Sequence, residues 1–260
     1  MTPRQATFVT AWAAAMLSLP LVGHSQGRGG AAQPARTPSA AAPIDLTGYW
    51  VAVVTEDWRY RMVTPTKGDY QGVPMTPEAR RVADAWKPEA DQAAGQQCKS
   101  YGAPASLRVP GRIHITWQDD STLKLETDAG TQTRLFRFDA SPAGKSEPSW
   151  QGDSTARWES LPAGRGGGGV VAAPTGGWLK VTTTNLKAGY LRKNGVPYSE
   201  AAALTEYVDL GTLPNGPQIL VVTSIVEDSK YLTQPFIVSS QFKKQADASG
   251  WEPTPCSSTW

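Results

Sequence analysis

The 260-residue chain carries 25 basic and 23 acidic side chains, a formal charge of +2. With this near-balance and no Lys/Arg run, a polyanion-binding patch and a nucleic-acid partner are excluded from the expectations. Charged residues make up 18% against roughly 25% in an average soluble chain, and ten tryptophans stand out.

Residues 1–26 read as a secretory signal peptide. Arg4 supplies the charged start, "FVTAWAAAMLSLPLVG" (8–23) the apolar segment, and Gly23 and Ser25 the small residues of a cleavage site. The apolar stretch is shorter than the ~20 residues of a spanning helix, so a periplasmic or secreted location without a stable membrane anchor is expected. Residues 27–43, rich in Gly, Ala and Pro, read as a flexible linker, and 44–260 as one folded domain. Export to an oxidising compartment gives the only two cysteines, Cys98 and Cys256, a structural disulfide as their expected state.

In the folded part, "GYWVAVVTEDWRYRMV" (48–63) reads as one long strand or as a strand with a bulge near Glu56-Asp57. "TPEARRVADAWK" (76–87) is the best helix, with Thr76 to cap it and Pro77 in its first turn, and a second short helix is expected over 88–96. Alternation then dominates. In 112–118, Ile113, Ile115 and Trp117 share one face and Arg112, His114, Thr116 and Gln118 the other. Asp119-Asp120 turns the chain into 121–128, and "AGT" turns it into 132–139, where Arg134, Phe136 and Phe138 share a face. Further strands are expected at 149–159, 178–185, 201–210, 218–227 and 235–244. Of these, 217–228 is apolar on both faces, as in a strand covered on both sides. The Gly-rich stretch 161–177 lacks the Lys of a phosphate loop and reads as a flexible connection. About nine strands with one early helical excursion predict an all-β fold, a single antiparallel barrel with an early short helical insert, a two-sheet sandwich being the alternative.

Gly48-x-Trp50 at the head of the first strand resembles the lipocalin signature, in which the Trp closes the base of the barrel and a basic residue near the last strand packs over it. The resemblance implies Lys243 or Lys244 for that second role. Over 44–256, strings such as "IHITWQDD", "DAGTQTR", "VTTTNLKAGYLRKNGVPYS" and "YLTQPF" are similar to a family of uncharacterised exported bacterial proteins with lipocalin-like, calycin-type features. That resemblance implies an exported β-rich protein and brings no activity with it.

The candidate chemistry is dispersed. His114 is the one imidazole left after signal removal, because the only other histidine is His24, so a His-rich metal site is excluded. If its strand's polar face lines the barrel, His114 is a candidate acid/base; alternation places it on the outer face if the apolar face lines the interior. In "TTTNLKAGYLRKNGVPYS", Tyr190, Tyr198 and Arg192 are catalytic candidates, since a cation beside a phenol favours phenolate. Lys193 joins them as an anion ligand, although a solvated hairpin tip with Asn194-Gly195 at positive φ accounts for the same residues. Trp58, Trp117 and Trp150 are candidate apolar platforms, and Arg134 and Glu206 candidate polar contacts. No motif calls for a cofactor or a metal. The expected function is binding of a small, partly apolar ligand in a barrel cavity; the alternative is a cofactor-independent acid/base enzyme, an isomerase, cyclase, lyase or hydrolase, using the same cavity. The oligomeric state is left open.

Overall fold

The computed structural model describes residues 36–139, 147–160, 176–214 and 216–258; the expected signal peptide, and most of the Gly-rich stretch 161–177, lie outside them. In chain order the elements are β1 (Gly48–Val53), the helical turn α1 (Trp58–Arg61), α2 (Pro77–Asp84), α3 (Pro88–Ala93), a 3-10 turn (Gln97–Tyr101) and α4 (Ala103–Ser106). Then follow β2 (Arg112–Asp119), β3 (Thr122–Thr127), β4 (Thr133–Arg137), β5 (Asp153–Ser160), β6 (Gly177–Thr184), β7 (Gly189–Tyr190), β8 (Pro197–Tyr198), β9 (Ala203–Thr212), β10 (Gln218–Glu227) and β11 (Phe236–Lys244).

Nine of these strands close a barrel in the order β1-β11-β10-β9-β6-β5-β4-β3-β2. The expected all-β barrel with an early helical insert is therefore what the chain builds, with one correction. The barrel is not purely antiparallel, because β4 and β5 pair in parallel through Phe136–Ser154 and Arg137–Thr155. Parity requires such an exception: directions cannot alternate all the way round a closed ring with an odd number of strands.

Side-chain alternation sorts the barrel into an apolar inside and a mixed outside. Ile113 and Ile115 of β2, Leu123 and Leu125 of β3, Leu179 and Val181 of β6, Leu220 and Val222 of β10 and Phe242 of β11 pack into one buried cluster with Trp50. The indole of Trp50 donates to the Leu46 carbonyl at 3.0 Å, and Lys244 Nζ lies 4.3 Å from its ring centroid. Of the two lysines named from the sequence, Lys244 is the one over the tryptophan. Gly48 explains its own place in the motif: φ is +105°, and a Cβ would stand 2.9 Å from Lys244 Nζ. Only a residue without a side chain gives the lysine that room.

Three expectations about elements change. The first strand ends at Val53, not at residue 63, because its neighbour β2 begins only at Arg112, opposite Val51. In place of a bulge, Asp57 turns to φ 50° and starts α1. β10 is fully buried on one face only; Leu220, Val222 and Val226 point inward while Ile219, Val221 and Ile225 are half-buried on the outer wall. Residues 36–43, expected as linker, carry a turn fastened to the barrel: the Ser39 amide donates to the Asp120 carbonyl at 3.1 Å, and the Trp158 indole to that of Pro38 at 2.9 Å.

The helical insert covers one end of the barrel. Thr76 caps α2 by accepting from the Ala79 amide, with Pro77 next, as the sequence predicts. Ala79 and Ala83 of α2 pack with Leu191, Val196 and Tyr198 of the β7–β8 hairpin and with Leu204, Val226 and Phe236 at the strand ends. Cys98 and Cys256 form a disulfide that ties the 3-10 turn to the C-terminal segment, consistent with an extracellular or periplasmic protein. Among the described residues no helix is long and apolar enough to cross a membrane.

Candidate functional site

Among the described residues the barrel interior is packed with side chains: between the Leu/Ile/Phe/Val layers lies an apolar void with Glu206 on its wall, wide enough for about one water molecule. The Arg134 and Glu206 side chains, 1% and 2% exposed, pair there, with Arg134 Nε left without a hydrogen-bond partner among the described residues. Arg134 Nη1 and Nη2 donate to the two carboxylate oxygens at 2.9 and 2.5 Å, and Nη2 also to Thr183 Oγ1 at 3.2 Å. Named from the sequence as ligand contacts, these two residues form a fork-to-fork ion pair that holds the interior together.

The other named residues separate. His114 is on the outer wall, since Ile113 and Ile115 point inward. Its ring stacks on Tyr49 at 4.0 Å and 2°, and Nδ1 lies 3.4 Å from Glu126 on the neighbouring strand. Trp117 packs with Phe138 and Trp158 at 5.5 and 6.4 Å, at the barrel end away from the helical insert. Trp150 donates to the Ala188 carbonyl under the Lys187 ammonium. Trp58 is exposed on α1. The structure does not bring His114 together with Tyr190, Tyr198 and Arg192.

The hairpin is no solvated tip. Leu191, Arg192, Lys193, Asn194, Val196 and Tyr198 are all buried, because the helical insert packs down on them. Gly195 alone of the turn pair takes positive φ, +83°, and the Trp86 side chain occupies the space a Cβ would need. Asn194 Nδ2 donates to the Thr66 and Asp69 carbonyls, holding the 64–72 loop. Tyr190 donates to Asp91 at 2.9 Å; burial and then that carboxylate raise its pKa. Burial likewise raises that of Tyr198. Both phenols therefore hold their protons, the reverse of what a general base needs. Lys193 Nζ donates to the Tyr101 hydroxyl at 2.6 Å, and burial lowers the ammonium pKa to about 8.

What the hairpin does assemble is a cationic cleft. Tyr60, Arg61, Ser100, Arg108, Arg192 and Lys193 line an opening with about 310 Å³ of non-atom space, mouth included. Its enclosed part takes about one or two water-sized groups. Arg61 is 3% exposed, Arg108 6% and Arg192 5%. Each is anchored at one point. Arg61 Nε donates to the Arg108 carbonyl at 3.0 Å, Arg108 Nη2 to Asp57 at 2.7 Å, and Arg192 Nη1 to the Gln71 carbonyl at 2.7 Å. The Arg192 guanidinium also stacks 4.1 Å over the Tyr60 ring. Beyond these anchors, Nη1 and Nη2 of Arg61, Nη1 of Arg108 and Nε of Arg192 are buried and find no hydrogen-bond partner among the described residues.

Charge makes this arrangement costly in isolation. Burial and then Arg108 push the Arg61 guanidinium down to about 10, against partial support from Glu56 and Asp57. Burial also lowers Arg108, which Asp57 offsets, and Arg192. Arginine stays protonated at neutral pH, so the residues lining the cleft bring fixed positive charge to it, and four of their guanidinium nitrogens lack a partner among the described residues. Arg61 and Arg108 were missed from the sequence. The available signal was a guanidinium inside an apolar neighbourhood, Tyr60-Arg61-Met62 and Leu107-Arg108-Val109.

No family model, no curated protein and no solved structure matches this chain.

Proposed function

We propose that this protein is an exported barrel of lipocalin-like build that binds a small ligand through an anionic group, and that the ligand sits in the arginine cleft over the barrel end. The carrying observation is the convergence of Arg61, Arg108 and Arg192, almost wholly buried, on one opening with four guanidinium nitrogens unpartnered. A buried donor without an acceptor costs about 1–3 kcal/mol, and more when charged; a carboxylate or phosphate group would satisfy several at once with bidentate geometry. The filled interior moves the expected site from the barrel cavity to this cleft. Lys244 over Trp50 supports the lipocalin-like build, and the disulfide supports export. Binding is favoured over acid/base catalysis because the phenols are protonated and His114 is on the outer wall.

Isothermal titration with phosphate, sulfate, citrate and short carboxylates tests the proposal. At least one anion is expected to bind wild type, and Arg61→Met to weaken it about 10- to 100-fold, the equivalent of one or two charge-assisted hydrogen bonds. Arg61→Met is also expected to leave the unliganded fold at least as stable, because the arginine is held against its own desolvation. No binding at millimolar concentration, or equal affinity in the variant, would refute the reading.

A further inference from the structure

An unexplained apolar surface adjoins the cleft. Among the described residues five large hydrophobic side chains are exposed, and three of them fall in one six-residue run: Trp58, Met62 and Val63, at 66%, 55% and 57%. That run contains α1, which also carries Tyr60 and Arg61 into the cleft. The Met62 amide donates to the Trp58 carbonyl at 2.8 Å, so the helical turn continues to Met62. Trp58 stands three residues before Arg61 and four before Met62, and on a helical turn those positions are neighbours. One short element thus presents two features that folding normally avoids: a buried guanidinium with both terminal nitrogens unpartnered, and an exposed indole beside an exposed thioether.

The cleft dimensions connect the two. The enclosed part takes about one or two water-sized groups, such as the oxygens of an anionic head, so the remainder of any larger ligand must leave through the mouth. Trp58, Met62 and Val63 flank in sequence the two residues of this run, Tyr60 and Arg61, that line the cleft. We infer that the ligand is an anionic amphiphile, a single-chain carboxylate or phosphate monoester whose head lies on Arg61, Arg108 and Arg192 and whose alkyl chain lies over Trp58, Met62 and Val63. This rests on the anion-binding reading above and adds the chemical class of the rest of the ligand.

The test is a homologous series of alkyl carboxylates from butanoate to decanoate, and in parallel alkyl phosphates, each kept below its micelle concentration. Affinity is read by calorimetry and by the change in tryptophan emission. Each methylene moved from water onto the apolar run strengthens binding, so affinity is expected to rise about tenfold or more along the series. The triple substitution Trp58→Ser, Met62→Ser, Val63→Ser, at three exposed positions, is expected to flatten that rise and leave butanoate affinity unchanged; Arg61→Met is expected to weaken every member. Comparing the carboxylate and phosphate series at one chain length identifies the head group. Butanoate binding with no dependence on chain length would overturn the amphiphile and leave the anion site standing. Failure of every anion to bind would overturn both. Binding to phosphatidylglycerol vesicles but not to the monomeric amphiphiles would overturn the inference in favour of a membrane surface.

Discussion

Replacing Glu206 by Gln removes the charge opposite Arg134 while keeping the shape of the side chain. The Arg134 and Glu206 side chains are 1% and 2% exposed, so solvent does not screen the loss. The carboxylate accepts two guanidinium hydrogen bonds, at 2.9 and 2.5 Å, and Gln can accept only one. Leaving one member of a buried pair uncompensated costs about 3–5 kcal/mol. For a domain with about 5–15 kcal/mol of total stability, that is about a fifth or more of the whole. Urea unfolding followed by tryptophan fluorescence and far-ultraviolet circular dichroism should show the midpoint fall with little change in slope. The double substitution Arg134→Met, Glu206→Leu removes both charges and is expected to recover most of the loss, since apolar replacement of a buried pair is often neutral or better. A cost under about 1 kcal/mol for Glu206→Gln would show that Arg134 finds water or another partner, and that the filled interior has been misread.

Replacing Cys98 and Cys256 by Ser opens a link that spans 158 residues. The chain-entropy ceiling for such a loop is about 5 kcal/mol, so a clear fall in melting temperature is expected, and an unchanged one would refute a structural role for the bond. Lys193 gives a pH signature. Its folded pKa of about 8 lies below the unfolded value of 10.5, so the unfolded state binds more protons between them and stability should rise with pH from about 8 to 10.5. Below 8 the burial penalty is present in full; Lys193→Met should therefore gain most on wild type near pH 7 and lose that advantage toward pH 10.5, and a difference independent of pH would refute this account. His114→Ala should cost no more than about 1.5 kcal/mol, the value of one stacked ring pair, and should leave anion affinity untouched; loss of binding would place the site on the outer wall instead.

The barrel was legible because strands declare themselves locally. Period-two alternation in 112–118 put Ile113 and Ile115 on one face and Arg112 and His114 on the other, and the structure keeps those faces, with the apolar one inward. Thr76 and Pro77 announced α2, since capping is a contact within one turn. The strand near residue 63 was misjudged because its end depends on where its partner β2 begins, more than fifty residues later. The hairpin at 189–198 stayed open between a binding segment and a solvated tip for the same kind of reason. Arg192, Lys193 and Asn194 look like a solvated turn until the insert at 58–106 packs over them.

Composition and local pattern by themselves determined an all-β chain of about nine strands with an early helical insert, and left two cysteines to be paired. Those properties follow from neighbours a few residues apart. The tertiary structure alone decided that the ring closes on an odd count and so needs one parallel pair, that Arg134 and Glu206 neutralise each other inside it, and that Arg61, Arg108 and Arg192 meet. The last three lie on segments separated by some fifty to eighty residues. No periodicity links them, and only the folding of the insert onto the hairpin brings their charges into one cleft.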